Sequence, residues 1–425
     1  MPPFTLAFLL AVLLGLGLRL WLSLRQIRHV RAYRASVPEP FARAISLDSH
    51  QIAAAYTIER AYFSMFENAV EAAVVLIWTL GGGLDALDRA WLSLHIPALF
   101  TGTGVLISVF LLMGLLELPF TLWRTFVIEA KYGFNRTTIK LFLVDLFKQS
   151  VLTVLIGVPL VLAVLWLMQA MGSLWWLWVW VVWMVFSLGM TWAYPRFIAP
   201  LFNKFTPLDN PELRNRISKL LQRSGFHSNG IFVMDGSRRS GHGNAYFTGF
   251  GRNKRIVFYD TLLEALTPEE IEAVLAHELG HFRRHHILIS MLMMTASSLG
   301  AFALLAWLMQ QSWFYLDLGV MHPSTWMALV LFIIALPQFT FFLTPLFSWR
   351  SRTQEFQADD YARSFTGARP LINALIKLYR DNASTLTPDP LYSAFYDSHP
   401  PAPIRIRHLL DASGPDDALI QTSSG

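Results

Sequence analysis

The chain has no cysteine and few charged side chains. Lys, Arg, Asp and Glu make up 15% of its 425 residues, whereas hydrophobic residues make up 54%. Soluble globular domains usually carry about 25% charged residues, so this composition argues against an ordinary cytosolic enzyme and favours a membrane protein. The absence of cysteine excludes disulfides, thiolate nucleophiles and cysteine-ligated metal sites, which leaves His, Asp and Glu as the strong metal ligands.

Seven stretches are long and apolar enough to cross a hydrocarbon core of about 30 Å, which takes roughly 20 residues of helix. They are predicted at Phe4–Leu24, Tyr62–Leu84, Pro97–Leu118, Val151–Met171, Leu174–Ala193, His286–Met309 and Trp326–Phe347. The second contains Glu67 and Glu71, and carboxylates at membrane depth are unfavourable unless they face protein or water. The first lacks a basic segment before its apolar run, so we expect it to remain as a helix and not to be cleaved as a signal peptide.

The basic residues indicate how these helices are oriented, because short cytoplasmic loops are enriched in Lys and Arg. Such residues cluster after the first stretch and between the third and fourth, whereas Arg89 is the one Lys or Arg in the loops on the opposite side. The pattern predicts an N-terminus outside and two cytoplasmic hydrophilic segments. We therefore interpret the net charge of +5 as a topology signal, and we expect no nucleic-acid partner.

The chain is accordingly divided into four parts. Residues 1–194 hold the first five membrane helices, 195–285 a cytoplasmic segment, 286–347 two further helices and 348–425 a second cytoplasmic segment. Within 195–285 the patterns predict a helix over Glu212–Phe226 and short strands in GIFVMDGS and KRIVFYDTL. Thr267, Pro268 and Glu270 then form a capping pattern that predicts the start of another helix.

The helix predicted to begin at Pro268 carries His277-Glu278-Leu279-Gly280-His281. Residues four apart share a helix face, so His277 and His281 can direct two imidazole nitrogens at one ion. Glu278 is rotated by about 100° from His277, so it is better placed to reach a water on the metal than the metal itself. This H-E-x-x-H spacing is typical of zinc metalloproteases. The alternative is a helix with two surface histidines.

A catalytic zinc site needs a third protein ligand and an open position for water. His285 lies roughly 12 Å along the helix axis from His277 at about 1.5 Å per residue, which is too far for a tetrahedral site. We interpret His285 and His286 as membrane-surface residues. Glu355 and Asp359 share a helix face after the seventh stretch. Glu355 is therefore predicted to bind zinc, and Asp359 to accept a hydrogen bond from a ligand histidine.

Several segments besides the zinc motif resemble the CAAX prenyl protease type 1 family of integral-membrane zinc metallopeptidases, over nearly the whole chain. They are FVIEAKYGFNRTT (Phe126–Thr138), YPRFIAPLFNKFTPL (Tyr194–Leu208), GNAYFTGFGRNKRIVFYDTL (Gly243–Leu262), SRTQEFQAD (Ser351–Asp359) and an SHP motif with Arg six residues after its His (Ser398–Arg405). The resemblance implies seven helices around a large water-filled chamber, with the metal at its cytoplasmic end. The predicted fold is therefore a membrane all-α protein of seven transmembrane helices. Its mostly helical, zincin-like cytoplasmic portion would contain a short β-hairpin or edge strand.

The resemblance also implies a role for each residue of the metal centre. His277, His281 and Glu355 would bind one Zn²⁺ ion, and Asp359 would support a ligand histidine. Glu278 would act as general base toward a zinc-activated water in peptide-bond hydrolysis.

Four further residues acquire roles from the family. Asn244 and Ala245 would lie on an edge strand whose backbone pairs with the extended substrate. His399 and Arg405 would stabilise the oxyanion. Without the family, the first pair is interpreted as a strand beside a turn, and the second as a histidine before proline and a solvated arginine.

The expected partners are the lipid bilayer and a peptide or protein substrate, and the sequence leaves open whether that substrate is lipidated at its C-terminus. One alternative function is membrane-protein quality control by a protease of the HtpX kind, although those relatives have fewer membrane spans. The other is a non-catalytic polytopic transporter or scaffold with a decayed site, against which the intact H-E-x-x-H and Glu355 argue. A bacterial inner membrane and the endoplasmic reticulum both fit the topology.

Overall fold

The fold is known from a computed structural model, which describes residues 1–248 and 255–411. Within these residues, seven helices are long and apolar enough to span a membrane: Pro3–Tyr33, Leu47–Trp78, Ala98–Glu129, Ile139–Ala170, Gly172–Phe202, His286–Leu308 and Thr325–Thr366. The seven-helix membrane fold predicted from hydropathy is therefore confirmed. Parts of the predicted segments Gly243–Leu262 and 348–425 lie outside the described residues.

Helices dominate the described residues, which also include four short strands between the fifth membrane helix and the H-E-x-x-H motif. The helices are α1 (Pro3–Tyr33), α2 (Leu47–Trp78), α3 (Gly83–Leu92), α4 (Ala98–Trp123), α5 (Ile139–Ala170), α6 (Trp175–Ala193), α7 (Ala199–Phe202), α8 (Pro211–Arg223), α9 (Asp260–Ala265), α10 (Pro268–Arg283), α11 (His286–Leu308), α12 (Ser312–Leu316), α13 (Thr325–Thr340), α14 (Thr344–Thr366), α15 (Ala368–Asp381), α16 (Pro390–Tyr396) and α17 (Ala402–Asp411). The strands are β1 (Phe205–Pro207), β2 (Ile231–Met234), β3 (Ala245–Thr248) and β4 (Arg255–Tyr259). Wider π-helical turns at Arg124–Glu129 and Tyr194–Ile198 continue α4 and α6.

The second membrane helix lies closer to the N-terminus than its hydropathy predicts. It begins at Leu47, where the Ser46 side chain accepts a hydrogen bond from the Ser49 backbone N–H. It ends at Trp78, so the predicted end at Leu84 was wrong. The glycines that follow explain the early end, because Gly82 adopts a φ of +75°, a conformation that glycine reaches without steric cost.

The carboxylates inside the second helix are paired with arginines of its neighbours. Glu71 lies 3.1 Å from the Arg19 guanidinium of α1, and that guanidinium also donates to Asn68. Glu67 accepts a close hydrogen bond from Arg124, at the end of α4. Both carboxylates thus meet the condition under which an acidic group is tolerated at membrane depth, because each faces protein and an opposite charge.

The strands form one small mixed sheet in the order β1-β2-β4-β3. The strands β2 and β4, which fall in the two predicted strand segments, pair in parallel, and β3 pairs with β4 in the antiparallel sense. Since β3 is last in this order, its outer backbone edge is left without a strand partner among the described residues. The predicted edge strand in a mostly helical catalytic portion is confirmed.

The helices α10 and α14 approach each other closely, and Gly280 makes this possible. A Cβ atom on Gly280 would lie 2.9 Å from Ala358 Cα and 3.0 Å from Tyr361 Cβ, distances that no side chain tolerates. The predicted cap of α10 is present, because Thr267 and Glu270 form a reciprocal capping box. The close packing brings the H-E-x-x-H face of α10 against the middle of α14.

Candidate metal centre and substrate cleft

His277, His281 and Glu355 converge where α10 meets α14. The two histidines lie one helical turn apart, and their Nε2 atoms are 3.3 Å from each other. Glu355 Oε2 lies 3.4 Å from His277 Nε2, and Glu355 Oε1 lies 3.2 Å from His281 Nε2. The structure therefore brings together the three residues that the sequence predicts as metal ligands.

The chemistry of these groups fits a bound cation. Glu355 is only 3% exposed, and its Oε2 atom is buried without a hydrogen-bond partner. A buried carboxylate oxygen in that state is unfavourable. A divalent ion between the three side chains would satisfy this oxygen and also the two imidazole nitrogens, which face each other at contact distance. Two imidazoles and a carboxylate form a donor set suited to such an ion.

Asp359 and Arg405 are buried next to His277 and Glu355. Asp359 is fully buried, and its Oδ1 lies 2.9 Å from His277 Nδ1. Arg405, which is 6% exposed, donates to both Asp359 oxygens, through Nε at 2.8 Å and Nη2 at 2.5 Å. Its Nη1 lies 3.4 Å from Glu355 Oε2. The guanidinium thus offsets the charge of two buried carboxylates, and Asp359 contacts the His277 ring nitrogen that does not face Glu355.

The buried carboxylates also change the protonation of His277. Burial and the charge of Arg405 lower the pKa of this imidazole, but hydrogen bonds to Asp359 and Glu355 outweigh them and raise the pKa from 6.5 to about 9. Without metal, the His277 ring is therefore protonated at neutral pH. A metal ligand must be neutral, so metal binding at this site has to release a proton.

His281, the second histidine ligand candidate, contacts residues for which the sequence predicted no role at the site. His281 Nδ1 lies 3.1 Å from His286 Nδ1, and His286 Nε2 lies 2.8 Å from Gln357 Oε1. His286 is only 4% exposed, so its interpretation as a membrane-surface residue was wrong. His285 connects α10 to α11 and adopts a φ of +57°, and α11 begins at His286. In the sequence, the one indication of a partner for His286 was the amide side chain of Gln357, two residues after Glu355.

A cleft of about 320 Å³ opens beside the metal centre. Its walls include six of the residues with predicted roles: Asn244, Ala245, His277, Glu278, His399 and Arg405. Glu278 is half-buried there, on the same helix as the histidine pair. The predicted base thus lies in a cavity that is open to water and substrate.

His399 reaches the same place from the segment between α16 and α17. Its Nε2 lies 3.4 Å from Glu355 Oε1, and its Nδ1 lies 3.0 Å from Ser398 Oγ. The His399 side chain is 64% exposed, more than the side chains of His277, His281 and Glu355. This exposure leaves its ring free to meet a molecule in the cleft.

The edge strand forms one wall of the cleft. Ala245 is the first residue of β3, and Asn244 directly precedes it. The Asn244 carbonyl accepts a hydrogen bond from Tyr259 N at 2.9 Å, which fixes the start of the strand against β4. The outer edge of β3 can receive an extended peptide by strand addition.

Comparison with known proteins identifies two matching family models. Residues 26–204 match the model described as the CAAX prenyl protease N-terminal segment with five membrane helices, and residues 207–413 match peptidase family M48.

Individual proteins resemble the chain along most of their length. The CAAX prenyl protease 1 homolog of Oryza sativa subsp. japonica is 35% identical over 419 residues, which cover 96% of this chain and 98% of that protein. The human CAAX prenyl protease 1 homolog is 30% identical and covers 92% of both chains. The crystal structure of S. mikatae Ste24p superposes with a TM-score of 0.88 at 31% identity and covers 96% of this chain and 99% of the other.

Proposed function

Because the chain belongs to peptidase family M48, as a multi-pass membrane metallopeptidase of the CAAX prenyl protease 1 group, we propose that it is a zinc endopeptidase acting on prenylated proteins near their C-terminus. The observation that carries the proposal is the convergence of His277, His281 and Glu355, with Glu278 in the adjoining cleft. The resemblance found in the sequence is confirmed by the comparisons. A transporter or scaffold is set aside, since the family is one of peptidases.

The spacing of the donor atoms supports zinc as the metal. Zinc–nitrogen and zinc–oxygen bonds of about 2.0–2.2 Å in a tetrahedral site place neighbouring ligand atoms roughly 3.3–3.6 Å apart. The Nε2 atoms of His277 and His281 are 3.3 Å apart, and each lies within 3.4 Å of one Glu355 oxygen, His277 of Oε2 and His281 of Oε1. Three protein ligands leave one position open on the cleft side, as catalytic zinc sites do.

The residues of the cleft have different roles in hydrolysis. When bound, zinc supplies positive charge that lowers the pKa of water toward about 7 and polarises the scissile carbonyl. Glu278 accepts the proton of the attacking water and delivers it to the leaving amine. His399 donates to the oxyanion, and the Arg405 Nη1 group adds positive charge there, because its other two nitrogens are engaged by Asp359. Asn244 and Ala245 hold the substrate as an added strand.

We infer the topology from the distribution of Lys and Arg. We place the N-terminus outside and the catalytic segments in the cytoplasm, because the basic residues follow the first helix and lie between the third and fourth. The metal centre then lies at the cytoplasmic end of α11, which begins at His286 behind His281. A bacterial inner membrane and the endoplasmic reticulum fit equally.

The function is tested with purified protein, by metal analysis and by cleavage of two C-terminal peptides that differ only in S-farnesylation of the cysteine. We expect about one zinc per chain and cleavage of the farnesylated peptide that a chelator stops and added zinc restores. Equal cleavage of the unprenylated peptide would instead favour a quality-control protease of the HtpX kind. Cleavage that is insensitive to complete metal removal would contradict the zinc mechanism.

Zinc affinity is expected to rise with pH. Since the pKa of His277 is about 9 without metal, the ring must lose a proton when zinc binds below that pH. The apparent affinity should therefore increase about tenfold per pH unit between pH 6.5 and 8.5 and level off near pH 9. Calorimetric zinc titrations in buffers of different ionisation enthalpy measure the proton release directly. A pH-independent affinity over this range would show that His277 is already neutral.

Substitution of His399 by Ala is expected to lower kcat by about 10²–10³-fold, the loss typical of one oxyanion donor. Zinc content should remain, because the three side chains that converge are His277, His281 and Glu355, whereas His399 contacts only the Glu355 carboxylate among them. Steady-state kinetics and metal analysis on the same preparation separate the two effects. A variant that loses its zinc would identify His399 as a fourth ligand.

A further inference from the structure

A second cavity adjoins the cleft on the far side of His399. We call it the α2 cavity, because Tyr56, Thr57 and Arg60 of α2 form part of its wall. Its volume is about 400 Å³, which lies within the range of about 300–1,000 Å³ typical of small-ligand sites. The cleft and the α2 cavity share four lining residues: Tyr379, Asn382, Ser384 and His399. A peptide that occupies one volume can therefore continue into the other.

The wall of the α2 cavity carries one guanidinium, which reaches the acidic Glu129 through the Tyr56 hydroxyl and not by direct contact. Arg60 is its one Lys or Arg, and within the described residues no carboxylate lies within 4.0 Å of it. Its hydrogen-bond contact is Tyr56 Oη at 3.5 Å, and that hydroxyl donates in turn to Glu129 at 2.6 Å. Other wall residues bear neutral hydroxyl groups, among them Ser384 and Thr385. The cavity thus offers a positive charge and several hydrogen-bonding groups.

One acidic residue, Asp397, also lines the α2 cavity. Burial raises the pKa of its carboxyl.

The direction of β3 shows which end of a substrate would enter the α2 cavity. The segment just before β3 is fixed to Asn382, whose Oδ1 accepts from Gly243 N at 3.3 Å and lies 3.1 Å from His242 Nδ1. The N-terminal end of β3 therefore lies at the junction of the two cavities. A peptide that pairs with β3 in the antiparallel sense, as β4 does, runs with its C-terminus toward this junction. Antiparallel pairing is also two- to three-fold commoner than parallel pairing.

We propose that the α2 cavity is the subsite for the free C-terminal carboxylate of the substrate, with Arg60 as the group that binds it. This inference rests on the proposed function, because the CaaX motif lies at the extreme C-terminus of a protein. A planar guanidinium binds a carboxylate through two parallel hydrogen bonds. The distance between Arg60 and the metal centre is fixed by the fold. When Arg60 holds the C-terminal carboxylate, the peptide bond at the metal is therefore always the same number of residues from the end of the substrate.

The test uses two farnesylated peptides that are identical except that one ends in a carboxylate and the other in a carboxamide. Wild-type protein should cleave the carboxylate form with a kcat/KM about 10- to 100-fold higher, the effect of a hydrogen bond to a charged group. Arg60→Gln should remove this preference by raising KM for the carboxylate peptide, with the amide peptide unchanged. Arg60→Lys should keep part of the preference. Arg28→Gln, an exposed arginine outside both cavities, is the matched control and should behave as wild type.

A carboxylate preference that survives in Arg60→Gln, or that is absent in wild type, would overturn the subsite. A zinc-loaded wild type that cleaves neither peptide would overturn the proposed function instead, so the two failures differ. Should Arg60→Gln not fold, product inhibition of wild type decides the question. A short peptide of the substrate's C-terminal residues should inhibit at least tenfold better as carboxylate than as amide, and equal inhibition would again overturn the subsite.

Discussion

The substitution of Glu278 by Gln is expected to reduce kcat by about 10²–10⁴-fold, the contribution of a general base, with zinc content unchanged. Gln keeps the size of the side chain, but it cannot accept the proton of the attacking water. The metal should stay, because His277, His281 and Glu355 converge without any contribution from Glu278. Single-turnover kinetics with the farnesylated peptide, together with metal analysis, measure both quantities.

The matched control is Glu272→Gln on the same helix, where Glu272 pairs with Arg216 at 3.2 Å and lies outside the cleft. This variant should retain wild-type activity. Because Glu278→Gln should still bind substrate, its KM or its peptide affinity should change little. Full activity in Glu278→Gln would remove Glu278 from the mechanism, and loss of zinc would indicate that Glu278 organises the metal instead.

The parts of the site that follow from local rules could be predicted from the sequence. The cap at Thr267 and Glu270 fixes where α10 begins, and the helical period then places His277 and His281 on one face. The same period places Glu355 and Asp359 together on α14. These rules gave the candidate ligands, although nothing local indicated that the two helices would meet.

The packing of α10 against α14 depends on a residue whose role is visible only in three dimensions. Gly280 lies between the two histidines and permits a contact in which a methyl group would overlap Ala358. In the sequence, Gly280 is one of the two unconstrained positions of H-E-x-x-H. Glycine is required at this position by contact with α14, which lies about 75 residues further along the chain.

Other features could not be predicted because they depend on local backbone conformation and on long-range pairing. A continuous helical period gives no sign of the positive φ of His285 or of the contact between His286 and His281. The end of the second membrane helix at Trp78 depends on the glycines after it, whereas hydropathy continues through Leu84. Arg405 is buried against Asp359, while the sequence alone favours a solvated side chain.

The removal of the carboxylate that completes the metal centre is expected to have the largest effect on zinc. Glu355→Gln replaces an anionic ligand by a neutral amide and leaves two histidines, so we expect zinc to be lost at micromolar concentrations and activity to fall to background. The two neighbouring acidic residues supply a graded comparison. Asp359→Asn should weaken zinc binding by about 10–100-fold, as does the loss of a hydrogen bond that orients a ligand. Asp360→Asn should change nothing, because Asp360 pairs with His408 away from the centre.

We expect zinc loss to be largest in Glu355→Gln, smaller in Asp359→Asn and absent in Asp360→Asn. This order would distinguish the loss of a ligand from a general loss of stability. The α10–α14 contact is formed around Gly280 and Ala358, so Glu355→Gln should keep its helix content and most of its thermal stability without metal. Its Arg405 Nη1 loses a charge partner at 3.4 Å but keeps both hydrogen bonds to Asp359. Zinc titration and circular dichroism of the three metal-free variants provide the comparison. If Glu355→Gln bound zinc as tightly as Asp360→Asn, the third ligand would have to be another residue, and the proposed centre would be incorrect.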